Sequence, residues 1–231
     1  MKMTKLTCLI LFSLALTLPV RIAAAGDGKT IIEKNNCGTC HKMEGPAAKT
    51  FAEALSRKAP DLFYAGSKFQ EEFLVEFSQK PYQIRPAGTL YLNHVKTVDG
   101  VDRIQDPPLC ASRLSKEDAV LASKYLMTLK DPDMKIGVYK PGASFFKIGA
   151  KMIFTKSVAC IGCHQVKKRG KIVGGTSGSS LYNAGSRLNG DWLSSYIRNP
   201  HYWDPMSPMP KWDLGEHAWM QLTNYIMEMK E

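Results

Sequence analysis

Several kinds of segment are missing from this 231-residue sequence. It has no low-complexity tract and, after residue 25, no apolar run long enough to cross a bilayer. It also lacks a phosphate-binding glycine loop with its lysine, a Ser/His/Asp set and a pair of carboxylates at catalytic spacing. These absences disfavour nucleotide hydrolysis and the common hydrolase mechanisms. The overall composition, 44% hydrophobic and 23% charged, is typical of a globular chain.

The first 25 residues have the layout of a secretory signal peptide. A basic start, MKMTK, precedes an apolar run over residues 6–20, and Ala23, Ala24 and Ala25 fit a small-residue cleavage site. The run is shorter than the roughly 20 residues of a membrane span. We therefore expect cleavage after Ala25 and a soluble, periplasmic protein.

The chain is basic, with a formal net charge of +10. Loss of Lys2, Lys5 and Arg21 with the signal would lower this by three, to +7. Because an exported protein does not meet nucleic acid, we expect no nucleic-acid partner. A basic exported surface favours docking to an acidic protein or to an anionic membrane face.

Six cysteines are present, and four of them form two identical patterns. Residues 37–41 (the first motif) read CGTCH, and residues 160–164 (the second motif) read CIGCH. A C-x-x-C pair alone fits a redox dithiol, half a zinc site or a disulfide. A histidine directly after the pair is the signature of covalent haem attachment, in which the two thiols bond the haem and the histidine binds its iron.

The surroundings of the two motifs are also repeated. Residues 65–81 (AGSKFQEEFLVEFSQKP) align with 184–200 (AGSRLNGDWLSSYIRNP) at an offset of 119, and residues 113–129 align with 213–229. Helices are predicted in each copy before the motif, in the repeated segment and at the end: 29–35, 69–78 and 115–129, then 145–156, 191–198 and 216–229. Ser115 is expected to cap the third of these. The stretch 132–142 is rich in proline and glycine and is interpreted as a linker.

This order of motif, glycine-rich loop, helix, Met-Pro loop and closing helix resembles a tandem, dihaem class I cytochrome c. The resemblance implies an all-α fold of two cytochrome c-like haem domains, each with about three to five helices around a covalent haem. The expected boundaries are a signal at 1–25, domains at 26–131 and 143–231, and a linker at 132–142. It implies two haem c groups, attached through Cys37 and Cys40 and through Cys160 and Cys163.

The resemblance assigns the axial ligands of the two irons. His41 and His164 are the first ligands, and the main-chain carbonyls of Pro60 and Ser179 are the candidate acceptors for their second ring nitrogens. In the second copy the other ligand is expected to be Met209, which precedes a proline, with Met206 as its competitor.

The first copy departs from this pattern. Its loop between Pro81 and Arg113 has no methionine and is 19 residues longer than its counterpart. Counting back from the closing helix, Met209 corresponds to Leu109, which is next to Cys110. Counting forward, it corresponds to Leu90, four residues before His94. An open or differently ligated iron is the third alternative, beside Cys110 and His94. Either side chain can bind iron. With either of them on the first haem and a methionine on the second, the first haem is expected to have the lower potential, so that electrons run from the N-terminal to the C-terminal copy.

The favoured function is an electron carrier, rather than an enzyme, that moves single electrons between respiratory redox proteins with acidic docking surfaces. Two alternatives remain open at this point. The chain could be the cytochrome subunit of a membrane respiratory complex, or a sulfur-compound-oxidising dihaem enzyme that uses a Cys110-ligated haem.

Overall fold

The computed structural model describes residues 25–230, so the predicted signal peptide lies outside the described residues except for Ala25. Within that range there are ten α-helices and two antiparallel two-stranded sheets. The helices of the first copy are α1 Ala25–Lys34, α2 Phe51–Ser56, α3 Ala65–Lys68, α4 Glu71–Gln79 and α5 Lys116–Thr128. Those of the second are α6 Lys147–Met152, α7 Ala184–Arg187, α8 Gly190–Arg198, α9 Pro200–Trp203 and α10 Glu216–Met227. No described helix has both the length and the apolar character of a membrane span.

The prediction of an all-α cytochrome fold is wrong, because the described chain also contains two β-hairpins. Strands β1 Val95–Val98 and β2 Val101–Ile104 form one, and β3 Val166–Lys168 and β4 Lys171–Val173 form the other. Each hairpin turns through two residues with positive φ, Asp99-Gly100 and Arg169-Gly170. Two such residues give the turn that matches strand twist, and valine and isoleucine on either side favour extended backbone.

The two hairpins occupy different places in the two copies. The β1–β2 hairpin, with a 3-10 turn at Tyr91–Asn93 before it, lies in the long loop, and the shorter counterpart of this loop in the second copy, which the structure describes in full, has no hairpin. The β3–β4 hairpin directly follows the second motif. The repeat detected in the sequence is therefore a repeat of helices, onto which each copy adds its own hairpin.

The predicted helices are present, with shifted ends. Ser115 caps α5 as expected, since its hydroxyl accepts a hydrogen bond from the Asp118 amide at 3.1 Å. In the second copy the helix before the motif continues past Met152 as a π-helix over Ile153–Ser157. The side chain of Phe154, in that π-helical turn, is fully buried and packs against Tyr225 of α10.

The repeated AGS segment makes the same contact in both copies. The amide of Gly66 donates to the Leu129 carbonyl at 2.8 Å, and the amide of Gly185 donates to the Met229 carbonyl at 2.9 Å. A Cβ on either glycine would collide with a carbonyl at the end of the closing helix. Glycine is therefore required because two backbones touch there.

The copies meet through equivalent residues. Phe69 and Leu188, which correspond in the repeat, form an isolated antiparallel bridge. The Gln70 amide donates to the Arg187 carbonyl at 3.0 Å, and in exchange the Asn189 amide donates to the Lys68 carbonyl at 2.8 Å. The two hydrogen bonds join corresponding positions, with the donor and acceptor copies exchanged. The two copies are therefore related by a local two-fold axis where they meet, a boundary that we call the seam.

The core runs across the seam. Tyr64 of the first copy lies 5.1 Å from Trp203 of the second, ring centre to ring centre, and Trp203 in turn contacts Trp192. These side chains belong to one buried cluster that includes residues of both copies. A 2.7 Å ion pair between Arg57 and Asp204 also joins the copies.

Candidate cofactor-binding sites

The two motifs fold identically. Each begins after a residue in the left-handed region, Asn36 at φ 52° and ψ 33° and Ala159 at φ 55° and ψ 39°. Each then makes a 3-10 turn, over Cys37–Thr39 and Cys160–Gly162. A positive φ is unfavourable for alanine, and such strain is concentrated at functional sites. The same local conformation from different residues shows that C-x-x-C-H dictates the turn.

The turn sets the cysteines and the histidine in a fixed relation. The amides of His41 and His164 each donate to the carbonyl of the first cysteine of their motif, at 3.0 Å in both cases. That first cysteine is half-buried and the second is exposed. None of the five cysteines in the described range forms a disulfide. Each motif therefore offers two thiols and an imidazole from a single turn of chain.

Both imidazoles are held by a main-chain carbonyl. Nδ1 of His41 lies 2.8 Å from the Pro60 oxygen, and Nδ1 of His164 lies 2.7 Å from the Ser179 oxygen. Because a carbonyl only accepts, Nδ1 carries the proton and Nε2 is left with its lone pair. The expectation that these two carbonyls serve this purpose is confirmed. The main-chain carbonyl of a serine thus accepts the histidine hydrogen bond in the second copy, as that of a proline does in the first.

Burial favours the neutral form of both imidazoles. It lowers the pKa of His41 and of His164, while the hydrogen bond to the carbonyl acts in the opposite direction. A neutral imidazole with a fixed tautomer and a free Nε2 is the form that binds a metal.

The glycine-rich stretch 174–178 wraps closely around the second motif. The amide of Gly178 donates to the Cys163 carbonyl at 2.8 Å, and a Cβ there would lie 2.6 Å from Nδ1 and Cε1 of His164. A Cβ on Gly174 or Gly175 would collide with carbonyls of the motif. These contacts pack the glycine-rich segment directly against the second motif.

The two candidate methionines of the second copy, Met206 and Met209, lie between α9 and α10. The Met209 amide donates to the Ser207 hydroxyl at 3.3 Å, and the side chain is partly buried. Met206 lines a small cavity at the seam, together with Arg57 and Arg85 of the first copy. The assignment of Met209 as the second iron's other ligand stays a prediction.

The two candidates of the first copy have different surroundings. Burial raises the pKa of the Cys37 thiol, and the nearby Cys110 thiol raises it further. Cys110 is thus brought close to the first motif across more than 70 residues of chain. His94 ends the 3-10 turn before β1, and its ring packs directly on Gly88. An electrostatic influence on a motif cysteine is thus established for Cys110.

Two buried cations at the seam were missed in the sequence analysis. Lys68 and Arg187 occupy equivalent repeat positions and are 8% and 3% exposed. Within residues 25–230 Lys68 makes no ion pair or hydrogen bond through its ammonium, which instead lies 5.0 Å from the ring centres of Phe69 and Trp192. The sequence could have shown this pair of cations, because AGSK and AGSR occupy the same position in the repeat and each ends in a cation.

The environment of these cations suits an anionic group. Burial, together with the neighbouring Arg85 and Arg187, lowers the pKa of Lys68 to about 7, and burial lowers that of Arg187 to about 10. Asp61 acts in the opposite direction on the pKa of Lys68. The Arg187 guanidinium donates to the Asn183 side chain and the Ser180 carbonyl. No carboxylate among the described residues forms an ion pair with either cation, and a buried cation is costly unless an anion pairs with it. Haem carries two carboxylates, so the buried cations and the neutral, positioned histidines both fit haem.

Comparison with known proteins gave no relative: no protein-family model matches the chain, and no curated protein is significantly similar to it. Within residues 25–230 no group of three or more histidine, cysteine, aspartate or glutamate side chains converges as a metal site.

Proposed function

We propose that this protein is an exported dihaem electron carrier of the c type. The observation that carries the proposal is the pair of motifs that share one backbone conformation and one histidine-to-carbonyl hydrogen bond. Cys37 and Cys40 would hold one haem, and Cys160 and Cys163 the other. Haem iron, when bound, supplies one-electron oxidation and reduction.

The residues of the chain itself would orient the iron ligands, supply positive charge and exclude water. His41 and His164 present Nε2 from a fixed tautomer, because Nδ1 is committed to a carbonyl. Lys68 and Arg187 offer positive charge for buried carboxylates at the seam. Aromatic side chains around the seam, such as Trp192 and Trp203, exclude water and lower the local dielectric constant.

Intact-mass spectrometry of the exported protein tests the proposal. We expect the mass of the polypeptide from residue 26 onward plus two haems. Replacing Cys37 and Cys40 with alanine should remove one haem mass, as should replacing Cys160 and Cys163. Cys110→Ala is the matched control and should retain both. The bare polypeptide mass for the wild-type chain would contradict the proposal.

A second candidate function follows from Cys110, whose thiol lies near enough to Cys37 to raise the pKa of that thiol. A thiolate-ligated haem that reacts with a sulfur compound would make the protein an oxidising enzyme instead of a carrier. Electron paramagnetic resonance of the oxidised protein should change with Cys110→Ser and not with His94→Ala if Cys110 is the ligand. Haem reduction by thiosulfate or sulfite that disappears in Cys110→Ser would favour the enzyme.

A further inference from the structure

The β3–β4 hairpin is the most concentrated basic feature of the second copy. Residues 166–173 include four cations and no acid, and all four cations are exposed: Lys167, Lys168, Arg169 and Lys171. Lys168 and Lys171 lie directly opposite each other in the ladder. Like charges at such positions destabilise a hairpin. Within residues 25–230 no ion pair involves Lys168, Arg169 or Lys171.

The base of the hairpin is fixed to the second motif. Its first strand begins two residues after His164. The chain that leaves β4 returns to the motif, where the Gly175 amide donates to the Ile161 carbonyl at 2.9 Å and the Gly178 amide donates to Cys163 at 2.8 Å. Cys163 is itself exposed. A molecule that contacts the hairpin therefore lies beside the exposed edge of the second motif.

The tip of the hairpin projects into solvent. Arg169 and Gly170 have φ of 51° and 77°, the signs of a tight two-residue turn. A Cβ built on Gly170 would have no atom within 4 Å. The cations are thus held out from the body of the protein on a short two-stranded hairpin.

The β1–β2 hairpin provides an internal comparison. It has the same turn geometry and also places two cations opposite each other, Lys96 and Arg103. However, it carries two acids as well, and Asp102 accepts hydrogen bonds from the Thr97 and Tyr91 hydroxyls. Its formal charge is zero. Of the two hairpins, the one beside the second motif is therefore the one with a net positive charge.

We propose that the β3–β4 hairpin is the docking surface for an acidic redox protein that exchanges electrons at the second motif. This inference rests on the proposed function and adds the surface and the partner's chemistry. With a haem bound at the second motif, one electron would pass from that reduced haem to the partner's oxidised centre, and no proton or covalent bond would be exchanged. A lipid face would match the charge but has no centre to reduce, so the position beside the motif favours a protein.

A pair of matched charge reversals tests the surface. Lys168→Glu with Lys171→Glu reverses a cross-strand cation pair on β3–β4, and Lys96→Glu with Arg103→Glu does the same on β1–β2. The probe is oxidised plastocyanin, an acidic one-electron carrier, and the measurement is stopped-flow oxidation of the reduced protein. At low ionic strength we expect the first variant to be about tenfold slower and the second to stay within about twofold of wild type. At high ionic strength the difference should vanish.

Equal slowing in both variants would overturn the proposal, because it would indicate the net charge of the whole chain instead of a local surface. The neutral pair Lys168→Gln with Lys171→Gln guards against misfolding and should give an intermediate rate. Wild-type rates in both β3–β4 variants would equally reject the hairpin as the docking surface.

Two further measurements separate this proposal from others. Binding of poly-L-glutamate by calorimetry needs no haem, so its loss only in the β3–β4 variant would support the acidic docking surface even if mass spectrometry refuted the carrier function. Sedimentation with phosphatidylglycerol vesicles tests a lipid face. Vesicle binding that depends on β3–β4, together with an unchanged plastocyanin rate, would overturn the protein partner.

Discussion

At the scale of single residues, the position of the His164 ring depends on the limited space around it. Gly178 lies against His164 with no room for a Cβ, whereas a Cβ on Gly162, in the same motif, would meet no atom within 4 Å. We therefore expect Gly178→Ala to displace the imidazole and weaken its bond to iron, and Gly162→Ala to have little effect.

Electron paramagnetic resonance of the oxidised protein checks this prediction. Gly178→Ala should convert part of one haem to a high-spin signal and leave the other unchanged. Identical spectra for Gly178→Ala and Gly162→Ala would show that the ring tolerates the added methyl group.

Lys68 is the second residue from which a measurable effect follows. A buried positive charge near a haem carboxylate stabilises the ferrous state over the ferric one, so its removal should lower the reduction potential. For Lys68→Met we expect a decrease on the order of 50 mV in one haem, equivalent to roughly 1 kcal/mol. Lys58→Met, the same change at an exposed site, should shift neither potential measurably. A potentiometric titration in which the two variants agree would place Lys68 away from the haem carboxylates.

At the scale of helices, close contact between α3 or α7 and the closing helix fixes each copy. Gly66→Ala and Gly185→Ala would each push a methyl group into a backbone carbonyl. Backbone cannot move aside as a side chain can, so we expect each to lower the free energy of unfolding by about 1–3 kcal/mol. Gly215→Ala, before α10, has open space and should be close to neutral. Denaturant melts followed by circular dichroism would contradict the prediction if all three variants matched wild type.

The hairpins show where helix-based expectations fail. The turn Asp99-Gly100 is a strong local hairpin signal, and valines flank it on both sides. The expectation of an all-α fold did not include this hairpin, because it followed the family resemblance and not the residues of the turn. The Arg169-Gly170 turn is harder to recognise, since arginine seldom adopts positive φ and only the formed hairpin reveals it.

At the scale of the whole molecule, the seam joins the two copies into one folding unit. The Gln70 side-chain amide donates to the carbonyls of Gly185 and Leu188, at 3.0 and 2.7 Å. Gln70→Leu would leave both carbonyls without this donor at a partly buried position, at a cost of about 1–3 kcal/mol. We expect the wild-type protein to unfold in one thermal transition and the variant to unfold at a lower temperature, in two.

Differential scanning calorimetry measures this directly. Gln79→Leu is a suitable control, because its amide donates only to Val75 within the same helix. Two separate transitions in the wild-type protein would show that the copies unfold independently and that the seam contributes little to stability.

The sequence by itself determined the two C-x-x-C-H motifs and the repeat, for a local reason. Two cysteines and a histidine within five residues need no distant partner to adopt one turn, and the helical pattern around them is likewise set by neighbours along the chain. The same holds for Ser115, whose capping bond spans three residues.

Only the tertiary structure decided what depends on residues far apart. The carbonyl that holds each imidazole comes from a loop 15 or 19 residues away, and Cys110 reaches Cys37 only through the folded loop. The two-fold seam, and with it the burial of Lys68 and Arg187, arises because two similar surfaces pack against each other. Contacts of this kind are selected by the burial of apolar area and the pairing of backbone groups over the whole molecule, which no stretch of sequence shows alone.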